Sequence, residues 1–271
     1  MSDTPTTPFG RLGRAISDTI VGVGDAALNV VEQAGGMAHL SLRVLYAMIP
    51  PRVDGRELWR NLYRMGVLSV PIVLLTAFFT GGIMVIQSGI FVRRFGAYGL
   101  LGYGAGFAVL REVGPILIGL MFSGRVGSNN AAELGTMTVT EQVDGLRALA
   151  IEPVRYLIVP RVLAMTVAML CLVVIGDAVA IAGGMLFGKL LLGVEFSSFY
   201  HSFADNLKIA DFAVGLVKAG FFGVAIAITS CHAGTSVKGG AVGVGRAVNQ
   251  AVVAAAIAIL ISDDLLTMVL H

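Results

Sequence analysis

Five apolar stretches, at roughly 67–92, 101–127, 156–187, 209–233 and 247–270, leave this 271-residue chain few ways to fold. Each exceeds the roughly 20 residues a helix needs to cross a bilayer. A segment of that length in lipid has to satisfy its backbone hydrogen bonds internally, which a helix does and an isolated strand does not. Charged residues make up 13% of the chain, against about 25% in soluble proteins, and the mean hydropathy is +0.85. The sequence therefore predicts an all-α integral membrane protein with one membrane domain and no room for a large soluble one.

Residues 1–36 are rich in Gly, Thr and Asp, with weak helical spacing at Ile16, Ile20, Val23, Leu28 and Val31, and read as a loose or surface-lying arm. They lack the compact apolar core and small-residue cleavage site of a signal peptide, so the N-terminus is expected to be retained. Residues 37–51, MAHLSLRVLYAMIPP, are too short to cross but apolar on one face, an interfacial helix stopped by Pro50 and Pro51. Arg52, Arg56, Arg60 and Arg64 follow at four-residue spacing beside Trp59 and Tyr63, a face suited to anionic lipid head groups. With the N-terminus inside, these arginines and Arg147, Arg155, Arg161, Lys238 and Arg246 are cytoplasmic, as the bias of Lys and Arg toward the inner side requires. Arg93 and Arg94 dissent, and a first stretch returning as a hairpin at Pro71 and Gly81-Gly82 is the alternative to five full crossings. Val194 to Asp211 alternates aromatic and polar residues and predicts a short helix on the outer surface. The net charge of +2 comes from charges at the ends of apolar runs and gives no nucleic-acid footprint. Cys171 and Cys231 lie in apolar stretches and read as small buried hydrophobes.

Between the second and third stretches, Thr138, Thr140, Glu141, Gln142, Asp144 and Arg147 surround an apolar stripe of Val139, Val143, Leu146 and Leu149. This predicts an amphipathic helix over Thr138–Leu149, with Thr138 and Glu141 as a capping box and Pro153 ending it. Such a helix is either an ordinary solvated connection or a docking element for another protein. Glu112 lies about a dozen residues into the second stretch, where a carboxylate costs about 2.5 to 3.5 kcal/mol to insert, so it must face protein or water. It is either a polar lining of a lipid path or a structural partner for a cation such as Lys218. Arg111 is not its expected partner, since adjacent helical residues point about 100° apart. Gly114-Pro115 should loosen the helix nearby. Glu133, Asp177, Asp263 and Asp264 are further acids in or beside crossings, and the last two have no evident basic partner in the sequence. GGMLFGK at 183–189 nearly spells a phosphate-binding loop, but Leu190 stands where Ser or Thr is required, so the glycines are read as packing positions. His39, His201, His232 and His271 have no metal-ligand spacing, and no Ser, His and acid set points to catalysis.

The segments REVGP, SGRVG, AAELGTM, TEQVDGLRALAIEP and RYLIVPRVLA resemble the MlaE/YrbE family of ABC transporter permeases, and the likeness continues through GGAVGVGRAVNQAVVAA and Asp263-Asp264. It covers residues 37–271, leaving out the arm. The resemblance implies a homodimeric permease of a bacterial inner membrane, moving phospholipids or related lipids between inner and outer membranes; five crossings and the Lys and Arg bias put its N-terminus in the cytoplasm and its C-terminus in the periplasm. It implies an ABC ATPase like MlaF, which would hold ATP and Mg, an MCE-domain substrate-binding protein like MlaD, and as an optional partner a STAS-domain protein like MlaB. No cofactor is expected in the chain itself. Carried onto this sequence, the coupling helix falls at Thr138–Leu149 and the membrane glutamate at Glu112. In that reading Leu117, Ile118 and Met121 hold acyl chains, while Glu112 meets a head group. A proton-driven secondary transporter using Glu112 and Asp177, and a scaffold that moves nothing, are the competing expectations.

Overall fold

The computed structural model describes residues 24, 28, 31–48, 55–96 and 100–270, and these form helices joined by short turns, with no strand among them. Most of the predicted arm, the stop at Pro50-Pro51 and Arg52 lie outside the described residues. The chain divides into two compact units, residues 1–43 and 44–271. Of the first, 31–43 is helical, α1.

Helix α2, Gly55–Met65, is amphipathic: Arg56, Arg60, Arg64, Trp59 and Tyr63 are exposed while Asn61 and Met65 are buried. Among the described residues five helical stretches are long and apolar enough to cross a membrane, one built on each predicted stretch, the first of them running on from α2. The first crossing is α3, Val70–Phe95, an unbroken helix of 26 residues ending at Gly96 with φ 68°. At about 1.5 Å per residue it is long enough to span, so the hairpin alternative does not hold. Pro71 sits in its first turn, where a missing N–H costs nothing. Gly81 and Gly82, far from bending the chain, let it press against the third crossing. A Cβ on Gly81 would run into the Ala180 carbonyl, and one on Gly183 into the Phe78 carbonyl. The near P-loop run is thus continuous helix with packing glycines.

The second crossing joins α4 (Leu101–Ala108), a π turn (Val109–Val113), α5 (Gly114–Phe122), a second π turn (Ser123–Gly127) and α6 (Ser128–Val139). Pro115 accounts for the first widened turn, since its ring lacks an N–H and crowds the carbonyl four residues back, at Arg111. The whole rod is 39 residues, about 58 Å, and outruns a hydrocarbon core about 30 Å thick. It continues past the predicted end at 127 because Ala131, Leu134 and Gly135 stay buried, packed beside Gly234, Val237 and Val244. After it come α7 (Gln142–Ala148), a π turn (Val154–Ile158), α8 (Val159–Leu192), α9 (Phe196–Asn206), α10 (Ile209–Thr235) and α11 (Gly240–Val269). Helix α9 is the predicted short helix, and it lies on α4, where Gly102 makes room for the Phe199 carbonyl and Gly106 for the Phe203 ring. Five crossings in alternation put α2, α7 and the α10–α11 turn at one end of the bundle, and α9 with both the α3–α4 and α9–α10 turns at the other.

Candidate functional site

The π turn before Gly114 aims Glu112 at a polar cluster inside the bundle. Its carboxylate accepts from Lys218 Nζ on α10, a side chain with none of its surface exposed. Lys218 also lies 2.9 Å from Asp263 Oδ1 and donates to Thr267 Oγ1 at 2.7 Å, both on α11. Next to it, Arg111 binds Asp211 at 3.1 Å, donates to the Leu270 carbonyl at 3.2 Å and stacks on Phe107. Arg111 Nε is still 4.0 Å from Glu112 Oε1, so the two adjacent side chains do approach, which the helical angle between them argued against; the widened turn rotates them closer. Asp263, with no evident partner in the sequence, has one in Lys218, while Asp264 is exposed. Two cations and three carboxylates thus tie the second, fourth and fifth crossings, with one negative charge in excess.

The apolar residues expected beside Glu112 separate. Ile118 is buried with its Cδ1 against Gly176 of α8, while Leu117 and Met121 are half-buried. Leu117 and Ile118 line a small pocket with Thr76, Thr80 and Asp177. Asp177 is 2% exposed, and neither carboxylate oxygen has a hydrogen-bond partner; one oxygen lies where a side chain on Gly114 would be.

At the opposite end of the second crossing the expected capping box does not form. Thr138 lies inside α6 and donates to the Leu134 carbonyl at 2.8 Å, because the packed helix continues through it. The break falls at Glu141, which takes φ 57° and precedes α7 with no side-chain cap. Thr140, Glu141, Gln142, Asp144 and Arg147 are exposed, Leu146 is half-buried and Val143 is buried. Arg147 pairs with Asp144 at 2.6 Å, and Gln142 donates to Thr140 at 3.0 Å. Pro153 does not end α7. Ala150 at φ 58° does so, with Ile151 N–H on the Leu146 carbonyl at 2.9 Å and Ala150 N–H on Arg147 at 3.0 Å, a Schellman closure. Pro153 instead opens the third crossing. Of the apolar stripe only Val143 is fully buried, and Leu149 is 73% exposed.

A third feature was not legible as a unit in the sequence. Glu133 bridges Arg64 of α2 at 3.0 Å and the buried Arg161 of α8 at 3.2 Å, pinning the α2 end to the bundle. Beside it, the buried Asn130 donates to Ser230 at 2.9 Å and contacts Cys231 at 3.3 Å. Arg161 at the head of an apolar run was the available signal, but a charge there also reads as a topology marker. Among the described residues no group of three or more His, Cys, Asp or Glu is placed to hold a metal ion.

A five-crossing helical bundle, tied by internal charges and carrying a solvent-exposed helix between its second and third crossings, has the build of a multi-pass membrane permease. The chain belongs to the MlaE permease family: a family model described as Permease MlaE matches residues 58–269. It is 40% identical over 245 residues to a probable ABC transporter permease protein of Rickettsia bellii, covering 90% of this chain and 95% of the relative. It is 36% identical to the chloroplastic protein TRIGALACTOSYLDIACYLGLYCEROL 1 of Arabidopsis thaliana, over 84% of this chain and 67% of that one. It is also 33% identical to the intermembrane phospholipid transport system permease protein MlaE of Haemophilus influenzae, over 78% and 81% of the two chains.

Proposed function

We propose that this chain is the permease subunit of an ABC transporter of a bacterial inner membrane, moving phospholipids or related lipids between the inner and outer membranes. It works as a homodimer, with an ATPase seated on the α7 end and an MCE-domain protein receiving or delivering lipid at the α9 end. ATP and Mg belong to the ATPase, and a STAS-domain protein is a further partner there. The name of the Haemophilus influenzae relative supports the substrate class, and the Rickettsia bellii relative the transporter type.

The observation that carries the coupling is the placement of α7. From Arg125, whose guanidinium reaches the Leu68 carbonyl where the first crossing begins, the second crossing runs on for 14 residues to Val139, about 21 Å. Helix α7 thus stands clear of the hydrocarbon on a rigid stalk, with acidic Glu141 and Asp144 and the apolar Leu149 exposed. An apolar side chain beside charges, held away from lipid, is suited to a protein partner. A push on α7 passes along α6 and α5 as one rod to Glu112, and the π turns are where the rod can change register. In this mechanism the charged cluster at Lys218 meets the head group, with Leu117 and Met121 toward acyl chains and Ile118 as a packing residue behind them. Glu141→Lys with Asp144→Lys is expected to leave the protein folded and to reduce co-purification of the ATPase by at least about tenfold, since a desolvated charge reversal costs several kcal/mol. Full retention of the ATPase would remove the coupling role, and lipid flux in proteoliposomes lacking any ATPase would favour the secondary transporter instead.

A further inference from the structure

The α7-side boundary of the bundle holds more positive charge than its ion pairs use. Arg64 at the end of α2 and Arg161 at the head of α8 both pair with Glu133, and Arg125 at the α5–α6 junction lines the same cavity as Arg64 and Glu133, so these four side chains carry two positive charges in excess. Arg161 is buried and its Nε has no partner, while Arg125 spends one N–H on the Leu68 carbonyl. Between Arg64 and Arg125 lies a cavity of about 380 Å³, which Leu68, Asn129 and Glu133 help to line. Its depth is that of the head groups, since Leu68 lies two residues ahead of α3. From the cavity an apolar track leads along one face of the first crossing: Leu68, Ile72, Leu75 and Phe79 are all exposed and recur at helical spacing. A concentrated positive cavity at the polar boundary, opening onto an apolar track, matches one kind of molecule in charge and shape. Guanidinium forks match phosphate oxygens, and the track matches a chain.

We propose that this cavity seats the phosphate of an anionic phospholipid of the α7-side leaflet, its acyl chain lying along Leu68, Ile72, Leu75 and Phe79. The site is separate from the cluster at Lys218 and does not rest on the transport reading. A lipid there would brace α2 against α3 and against α6, whose Glu133 already holds Arg64 of α2.

The test uses the full chain in nanodiscs of equal parts phosphatidylglycerol and phosphatidylcholine, with retained lipid counted by native mass spectrometry. Wild type is expected to keep phosphatidylglycerol preferentially, and Arg64→Gln and Arg125→Gln each to lower that preference about fivefold, as loss of one basic group near an anionic surface does. Arg60→Gln, at an exposed residue on α2 already paired with Glu57, is expected to leave the preference unchanged. An equal fall in Arg60→Gln would mean a diffuse basic belt and overturn the site. Asn129→Arg, which adds a cation to the cavity, is expected to raise retention, and this variant decides the matter should the glutamine variants fail to fold. No rise would overturn the proposal. Excess inorganic phosphate is expected to leave the retained lipid in place; displacement would identify a soluble anion as the occupant and overturn the lipid assignment.

Discussion

Lys218 binds carboxylates from two other crossings, Glu112 and Asp263, with none of its own surface exposed. Removing one member of such a buried set leaves uncompensated charge, which costs about 3 to 5 kcal/mol, whereas replacing the whole set by apolar or neutral groups of similar shape is close to neutral. Lys218→Met is therefore expected to lower the thermal unfolding midpoint in detergent markedly, and Lys218→Met with Glu112→Gln and Asp263→Asn to recover most of the loss. If the single variant unfolds like wild type, Lys218 is not the tie between the crossings. The three residues are each visible in the sequence as polar intrusions into apolar runs. Lys218 was legible only as one of two readings of Glu112, and its second pairing, with Asp263, was not legible at all, because these residues lie on three helices and meet only through helix rotation.

Among the elements, α3 and α8 show how apolar helices associate when lipid is as apolar as their own side chains: small residues let the backbones close in and gain dispersion contacts. Gly81 faces the Ala180 carbonyl and Gly183 the Phe78 carbonyl, so neither can acquire a side chain without the backbones moving apart. Gly81→Ala is expected to destabilise by about 3 kcal/mol or more, because the clashing atom is backbone and has no rotamer to escape into. Gly104→Ala, with nothing within 4 Å of the added carbon, is expected to be neutral or stabilising by up to about 1 kcal/mol through helix propensity. Fluorescence-detected thermal melting of the two variants in one detergent compares them. A Gly81 variant as stable as wild type would mean that α3 and α8 are not in close contact. Gly183 was legible as a packing position, whereas Gly81 was read as a possible bend, and the capping box at Thr138 was misread. Local patterning offered a cap there, but the burial of Ala131, Leu134 and Gly135 carried the helix through it to Glu141.

For the whole molecule, an odd number of crossings sets the α10–α11 turn and α9 on opposite sides of the membrane. In a background with Cys171→Ala and Cys231→Ala, a cysteine at the exposed Ser236 is expected to label only from the cytoplasmic side and one at the exposed Ser197 only from the periplasmic side. A membrane-impermeant maleimide applied to intact and opened cells distinguishes them. Labelling of both from one side would break the five-crossing topology. Labelling of each from the unexpected side would invert the bundle and place α7 where no ATPase could reach it.

The sequence by itself determined the five apolar stretches and the helix on the α9 side, because apolar length is a local property that any 20-residue window carries, and its short motifs determined the family; the unbroken α3 then decided that the first stretch crosses in full. Only the tertiary structure decided which charges meet, how far the second crossing outruns the bilayer, and that Arg64 and Arg161 share Glu133 beside a cavity lined by Arg125. These depend on the rotation and contact of helices far apart in the chain, and rotation is fixed by where small residues let backbones approach rather than by any pattern within one helix.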